Sequence, residues 1–91
     1  MQRFNIQASR EAKKKRRDEL VKEIIVTVDG IPFDGDELSQ ERMARAIIVL
    51  NPLEVTYWNC EDNVVREVTR EQLSTALRLA GEAQTNLWFI T

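Results

Sequence analysis

The chain has 91 residues, a length that makes one domain with a modest core. Hydrophobic residues are 43% and charged residues 31%, the balance of a globular chain and not of a disordered one. There is no histidine and one cysteine, which excludes a Ser-His-Asp or Cys-His nucleophile and any Cys/His zinc site within one chain. No apolar run approaches the roughly 18 residues of a membrane span. The first residues are polar and basic, without the apolar middle of a signal peptide, so export by that route is not expected. The lone Cys60 has no internal disulfide partner and fits a reducing compartment.

The net charge of −2 hides an asymmetry. Residues 1–22 hold eight of the 13 basic groups and three of the 15 acids, a balance of +5. The remainder holds five basic and twelve acidic groups, a balance of −7. A basic arm thus joins an acidic body, and such a chain can pair with a neighbouring copy or another charged surface.

Residues 1–7 are expected to be a loose N-terminus, ahead of a single α+β domain over 8–91. The run "ASREAKKKRRDELVKEI", residues 8–24, holds good helix formers and no glycine or proline. Ser9 is its candidate N-cap. Its apolar positions thicken only at the C-terminal end, so that end should pack and the front should project.

Ile25–Val28 are β-branched and suit a strand, and Asp29-Gly30 is a two-residue hairpin signal. Ile31, Pro32 and Phe33 return, with Pro32 on an edge and Phe33 in the core. Asp34-Gly35 then turns the chain out of the sheet. Residues 38–50 form a helix with Ser39 as cap, a staple from Leu38 to Met43, and a core face of Met43, Ala46, Ile47 and Leu50. Asn51-Pro52 stops it. Residues 55–68 read as a second hairpin turning at Asp62-Asn63. A last helix follows, with a Thr69–Gln72 capping box and an inner stripe of Leu73, Ala76, Leu77 and Ala80. Gly81 is the point where it ends or kinks, and Leu87, Trp88 and Phe89 are expected to fold back onto the core.

The fold class is therefore α+β: an N-terminal helix, then two β-hairpin–helix units, with a small antiparallel sheet packed against the helices. At an offset of 30, Ser39 falls on Thr69, Met43 on Leu73 and Ala46 on Ala76. Either a duplication or two similarly capped amphipathic helices gives that match.

The segment "VDGIPFDGDELS" gathers Asp29, Asp34, Asp36 and Glu37 around two glycines. A calcium loop of the D-x-[DN]-x-[DN]-G kind closes with glutamate at its twelfth position, and from Asp34 that position is Arg45. Asp29, Gly30, Asp34, Asp36 and Ser39 are better read as turn and cap residues, with acids placed where a helix N-terminus favours them. A metal or enzyme site at Asp34, Asp36 and Glu37 is the rival reading. No cofactor is expected.

Arg10, Lys13, Lys14, Arg16 and Arg17 are the candidate partner-binding residues. On a helix the run "KKKRR" points all round the axis, and no aromatic is interleaved for base stacking. A solvated helix or an arm facing a protein subunit is preferred, with nucleic-acid binding as the alternative. Tyr57 and Trp58 point to opposite faces of a strand, one inward. Trp58 and Trp88 are expected in core roles, and Cys60 in an inert one.

The combination "DG-x-x-FD-x-D", "S-x-x-R-M", "W-x-x-x-DN" and "VT-x-x-x-L", spread over about residues 8–88, resembles an uncharacterised domain of phage and prophage proteins found in tail-associated and tail-fibre proteins. That family has no established activity, so the resemblance supplies no catalytic residue. It implies a non-enzymatic interaction or structural role, a tail or virion subunit as partner, and a location in the bacterial host cytoplasm or the virion. No membrane contact is implied.

Overall fold

The computed structural model describes residues 6–90, with side chains from 11 to 89. In chain order the elements are α1 (Ile6–Lys22), β1 (Ile25–Val28), β2 (Ile31–Asp34), α2 (Glu37–Val49), β3 (Val55–Asn59), β4 (Val65–Thr69) and α3 (Arg70–Ile90). The expected order of helix, hairpin, helix, hairpin, helix is the observed one. The strands form two separate two-stranded antiparallel sheets in place of a single small sheet. One bond crosses between the hairpins, from the Glu61 N–H to the Pro32 carbonyl at 3.0 Å. Pro32 faces Thr27 in the register, so this edge proline accepts a bond although it has none to donate.

In the first hairpin Asp29 and Gly30 both take positive φ, 51° and 75°, the pair that a type I′ turn requires. In the second, the Asn63 N–H closes a turn on the Cys60 carbonyl at 2.9 Å, and Asn63 takes φ 66°. Alternation buries Val26 and Val28 on β1 and Phe33 on β2, while Ile25 and Thr27 face out.

The core gathers Val26, Val28, Phe33, Met43, Val68, Leu73, Ala76 and Ala80. Phe33, Met43, Val68 and Leu73 are fully buried, and each such side chain is worth about 1.5–3 kcal/mol of transfer free energy. α3 is the central element, touching α1, α2, β1 and β4. Its Ala76 and Ala80 lie inward and let the backbones come close. Gly35 uses that closeness. A Cβ there would overlap Cγ2 of Ile24 and approach the Ala80 Cβ to 3.1 Å. The ladder also continues past β2, because the Gly35 N–H reaches the Ile24 carbonyl at 2.7 Å. Gly35 is thus required for space and extends the hairpin, where the sequence suggested a turn.

The starts of α1 and α2 correct four further expectations. α1 starts before Ser9, which therefore lies inside the helix and does not cap it. Ile6 and Gln7 are helical, and the remaining N-terminal residues lie outside the described ones. α1 closes with bonds from Glu23 to Leu20 and from Ile24 to Val21, the tighter spacing common at helix ends. The cap of α2 is Asp36, and Ser39 sits in the first turn, donating its hydroxyl to the Asp36 carboxylate. Leu38 is consequently helical and half-exposed and makes no staple with the buried Met43.

α3 runs unbroken through Gly81. Glycine in a helix interior costs roughly 0.5–1 kcal/mol relative to alanine, which the packing on both sides outweighs. Ala80 is buried just before it. Just after it Gln84 accepts from Gln40 and donates to Glu37, at 2.9 and 2.8 Å. Because the helix continues, Trp88 and Phe89 do not return to the core and are 60% and 84% exposed.

Candidate interaction surface

α1 and α3 run antiparallel. Leu20 and Ile24 of the α1 end line a cleft with Ile25, Ala83 and Leu87, and one turn further out Arg17 lies over the Trp88 ring at 4.3 Å from the centroid. The Arg17 Nε is buried with no hydrogen-bond partner among the described residues, as expected of a guanidinium that meets an aromatic face. Among the described side chains of α1, Val21 is the one buried on the body.

Ahead of Arg17, none of the described side chains, residues 11–16, is buried in the core. Lys13, Lys14, Lys15 and Arg16 are all exposed. Arg10 lies in α1 one turn earlier, and its side chain is outside the described residues. From Arg17 back to Ile6 the helix extends about 16 Å at 1.5 Å per residue. The molecule measures 64 × 24 × 17 Å, longer than the roughly 31 Å of the 21-residue α3, so the arm extends the long axis. Lys13, Lys14 and Arg16 are therefore exposed on the projecting part of the helix, whereas Arg17 is committed to Trp88.

The acidic loop is dispersed by its local roles. The Asp29 carboxylate accepts from the Gln72 side chain at 3.2 Å, and Asp36 accepts from Ser39. Among the described residues no group of three or more His, Cys, Asp or Glu is placed to hold a metal ion. Asp18, Asp36 and Glu37 do border a shallow cleft of about 400 Å³ between α1 and the start of α2, with Val21, Lys22 and Leu38.

Among the described residues, the carboxyl held furthest from its ordinary range lies in the second hairpin. Asp62 accepts two hydrogen bonds from the Arg66 guanidinium, at 2.9 and 2.7 Å, and one from the Val64 N–H at 3.2 Å. The Arg66 hydrogen bonding is the main cause that holds the Asp62 carboxyl down at about 2, and Arg66 is pushed above its usual range by the same pairing. Trp58 is half-buried against the core and Tyr57 points out, the split expected of neighbours on a strand. Cys60 is buried, its thiol directed at the Trp58 carbonyl at 3.6 Å.

At the far end of α3 lies a surface that the sequence reading missed. Residues 51–54 form a turn in which the Glu54 N–H meets the Asn51 carbonyl at 3.0 Å. Pro52 holds the second position and Leu53 the third, with φ 65°. That is the type II pattern, whose third position calls for glycine or asparagine. Left-handed geometry costs a branched side chain about 1–2 kcal/mol. Leu53 is nonetheless 77% exposed, and Ile48, Val49 and Val55 nearby in sequence are exposed as well. Asn51-Pro52 marked the turn, but nothing local signals a leucine in a glycine position.

A family model described as a domain of unknown function, DUF4376, matches residues 5–89. The chain belongs to the DUF4376 family. No curated protein and no solved structure matches the chain. The DUF4376 match spans α1, both hairpins, α2 and all of α3 but its last residue, so the family unit includes the arm as well as the body. Its description names no activity, and the roles of individual DUF4376 residues here rest on their geometry.

Proposed function

We propose that this DUF4376 chain is a non-enzymatic interaction module of a phage or prophage tail-associated protein, with α1 as the arm that docks on a protein partner. The observation that carries this reading is the placement of α1. Its C-terminal turns are anchored by Val21 and Arg17, while Lys13 to Arg16 project from a body that completes its core without them. The opposite charge balances of arm and body favour a partner with an acidic face, including another copy of the chain. The tail context is drawn from the combined sequence motifs alone.

The test is the solution mass at low and high salt, for the wild type and for a variant carrying Lys13→Glu, Lys14→Glu and Arg16→Glu. Association that is lost at high salt and in the variant supports the arm as the contact. A single-chain mass throughout, together with retention on DNA or RNA at about 50 mM salt, transfers the arm to the nucleic-acid reading.

A further inference from the structure

The Leu53 turn is braced from both sides. The Asn51 N–H donates to Glu54 Oε2 at 3.1 Å, and the Leu53 N–H donates to Glu71 Oε1 at 3.0 Å. The neighbouring end of α2 is fixed to the same place, because Arg70 Nε donates to the Ile47 carbonyl at 3.3 Å. A residue in a conformation that leucine avoids is thus held rigidly with its side chain outward. The fold has no use for that side chain, since glycine suits the backbone better. Strain of this kind, kept by surrounding bonds, points to a function at the surface. Ile48, Val49 and Val55 add exposed aliphatic area at the same end.

The other end of α3 carries an open apolar hollow. Leu20, Ile24, Ile25, Ala83 and Leu87 line a mostly apolar cleft of about 360 Å³, with Glu23 as its charged member. Ala83 and Leu87 stand 12 and 16 residues along α3 from Glu71, about 18–24 Å away. Tip and cleft therefore lie at opposite ends of one rod.

We infer that a second copy of this chain covers these surfaces: the Leu53 tip of one copy seats in the α1–α3 cleft of the next. This rests on the reading of the chain as an interaction module and names its partner. Charge selects the head-to-tail arrangement. Residues 11–22 of α1 hold six basic and three acidic groups, and the rest of the described body holds five basic and twelve acidic ones. Tip into cleft sets the basic arm of one copy along the acidic body of the next, where Glu54 and Glu71 stand beside Arg70 at the tip. Tip to tip or cleft to cleft brings like charges together. Such a heterologous contact grows into a ring or a filament and does not close at two copies.

The experiment uses two variants of the full chain, weighed by light scattering over a concentration series. Leu53→Gly removes the tip and suits the turn. Ile25→Glu places a charge in the cleft wall at a half-exposed position, sparing the core. Circular dichroism confirms that each is folded. The wild type is expected to associate and each variant alone to have the single-chain mass. Mixed in equal amounts they are expected to form a capped pair, because the first keeps its cleft and the second its tip. Association of either variant at the wild-type level overturns the head-to-tail contact. If both variants associate normally while the charge-reversed arm variant does not, this inference falls and the interaction-module reading stands. A mixture that remains single chains, or a wild type that is monomeric at every concentration, also overturns it.

Discussion

Arg17 lies over Trp88, its guanidinium carbon 4.3 Å from the ring centroid, and this pair ties the arm to the body at the last turns of α3. Beyond it Lys13 to Arg16 are exposed, so the pair marks where α1 leaves the body.

Replacing either partner should free the arm without unfolding the core. Trp88→Ala and Arg17→Ala are each expected to cost about 0.5–1 kcal/mol, the worth of an exposed cation–π contact. The loss should be confined to α1. Amide hydrogen exchange is the measurement: faster exchange in α1, with β1, β2 and α3 unchanged, is the expected result.

The two helix starts after the hairpins should respond differently to alanine. At α3 the Gln72 N–H donates to Thr69 Oγ1 at 3.1 Å and the Thr69 N–H to Gln72 Oε1 at 2.9 Å, a reciprocal capping box. Thr69→Ala should lose about 1 kcal/mol. Ser39 bonds only to the Asp36 carboxylate in the corresponding place, so Ser39→Ala should lose less, within about 0.5 kcal/mol. Urea denaturation of both variants checks the contrast.

Gly35→Ala should destabilise although Gly35 does not need positive φ. The added methyl meets Ile24 and Ala80 across the tightest approach of hairpin and helix. Overpacking of this kind costs about 1–3 kcal/mol. Gly81→Ala, in open space within α3, should instead stabilise by roughly 0.5–1 kcal/mol. Thermal melts of the two variants should therefore move in opposite directions.

The Asp62–Arg66 pair sets a pH response at the acid end. The folded Asp62 carboxyl titrates near 2, below its ordinary value of 3.8, chiefly through hydrogen bonding from Arg66. Its stabilising contribution is therefore complete above about pH 4 and is lost as pH falls through 2. A carboxyl titration by NMR should show the low midpoint, and Arg66→Ala should raise it toward the ordinary value. High salt should weaken the effect, since the pair is exposed to solvent.

Local chemistry made most of the fold readable. Asp29-Gly30 and Asn63 take the left-handed geometry that their residue types favour, and the Thr69–Gln72 box forms as its spacing suggests. The match at an offset of 30 holds only in part: Met43 and Leu73 are both buried, but their helices are capped by different means. The misses have long-range causes. Gly81 looked like an end because the bonds from Gln84 to Gln40 and Glu37 lie over 40 positions away in sequence. Trp88 looked like core because its partner, Arg17, sits at the other end of the chain. The basic arm was visible as charge. The Leu53 tip was not, because its conformation is imposed by Pro52 and by Glu71 from α3, and leucine gives no hint of it.

The most direct test of the interaction-module reading is the mass of the purified chain by light scattering at low and high salt, beside the Lys13→Glu, Lys14→Glu, Arg16→Glu variant. The expected result is a mass above one chain at low salt that falls to one chain at high salt, and one chain at both salts for the variant. An identical mass for both proteins at both salts would contradict the arm as the docking element.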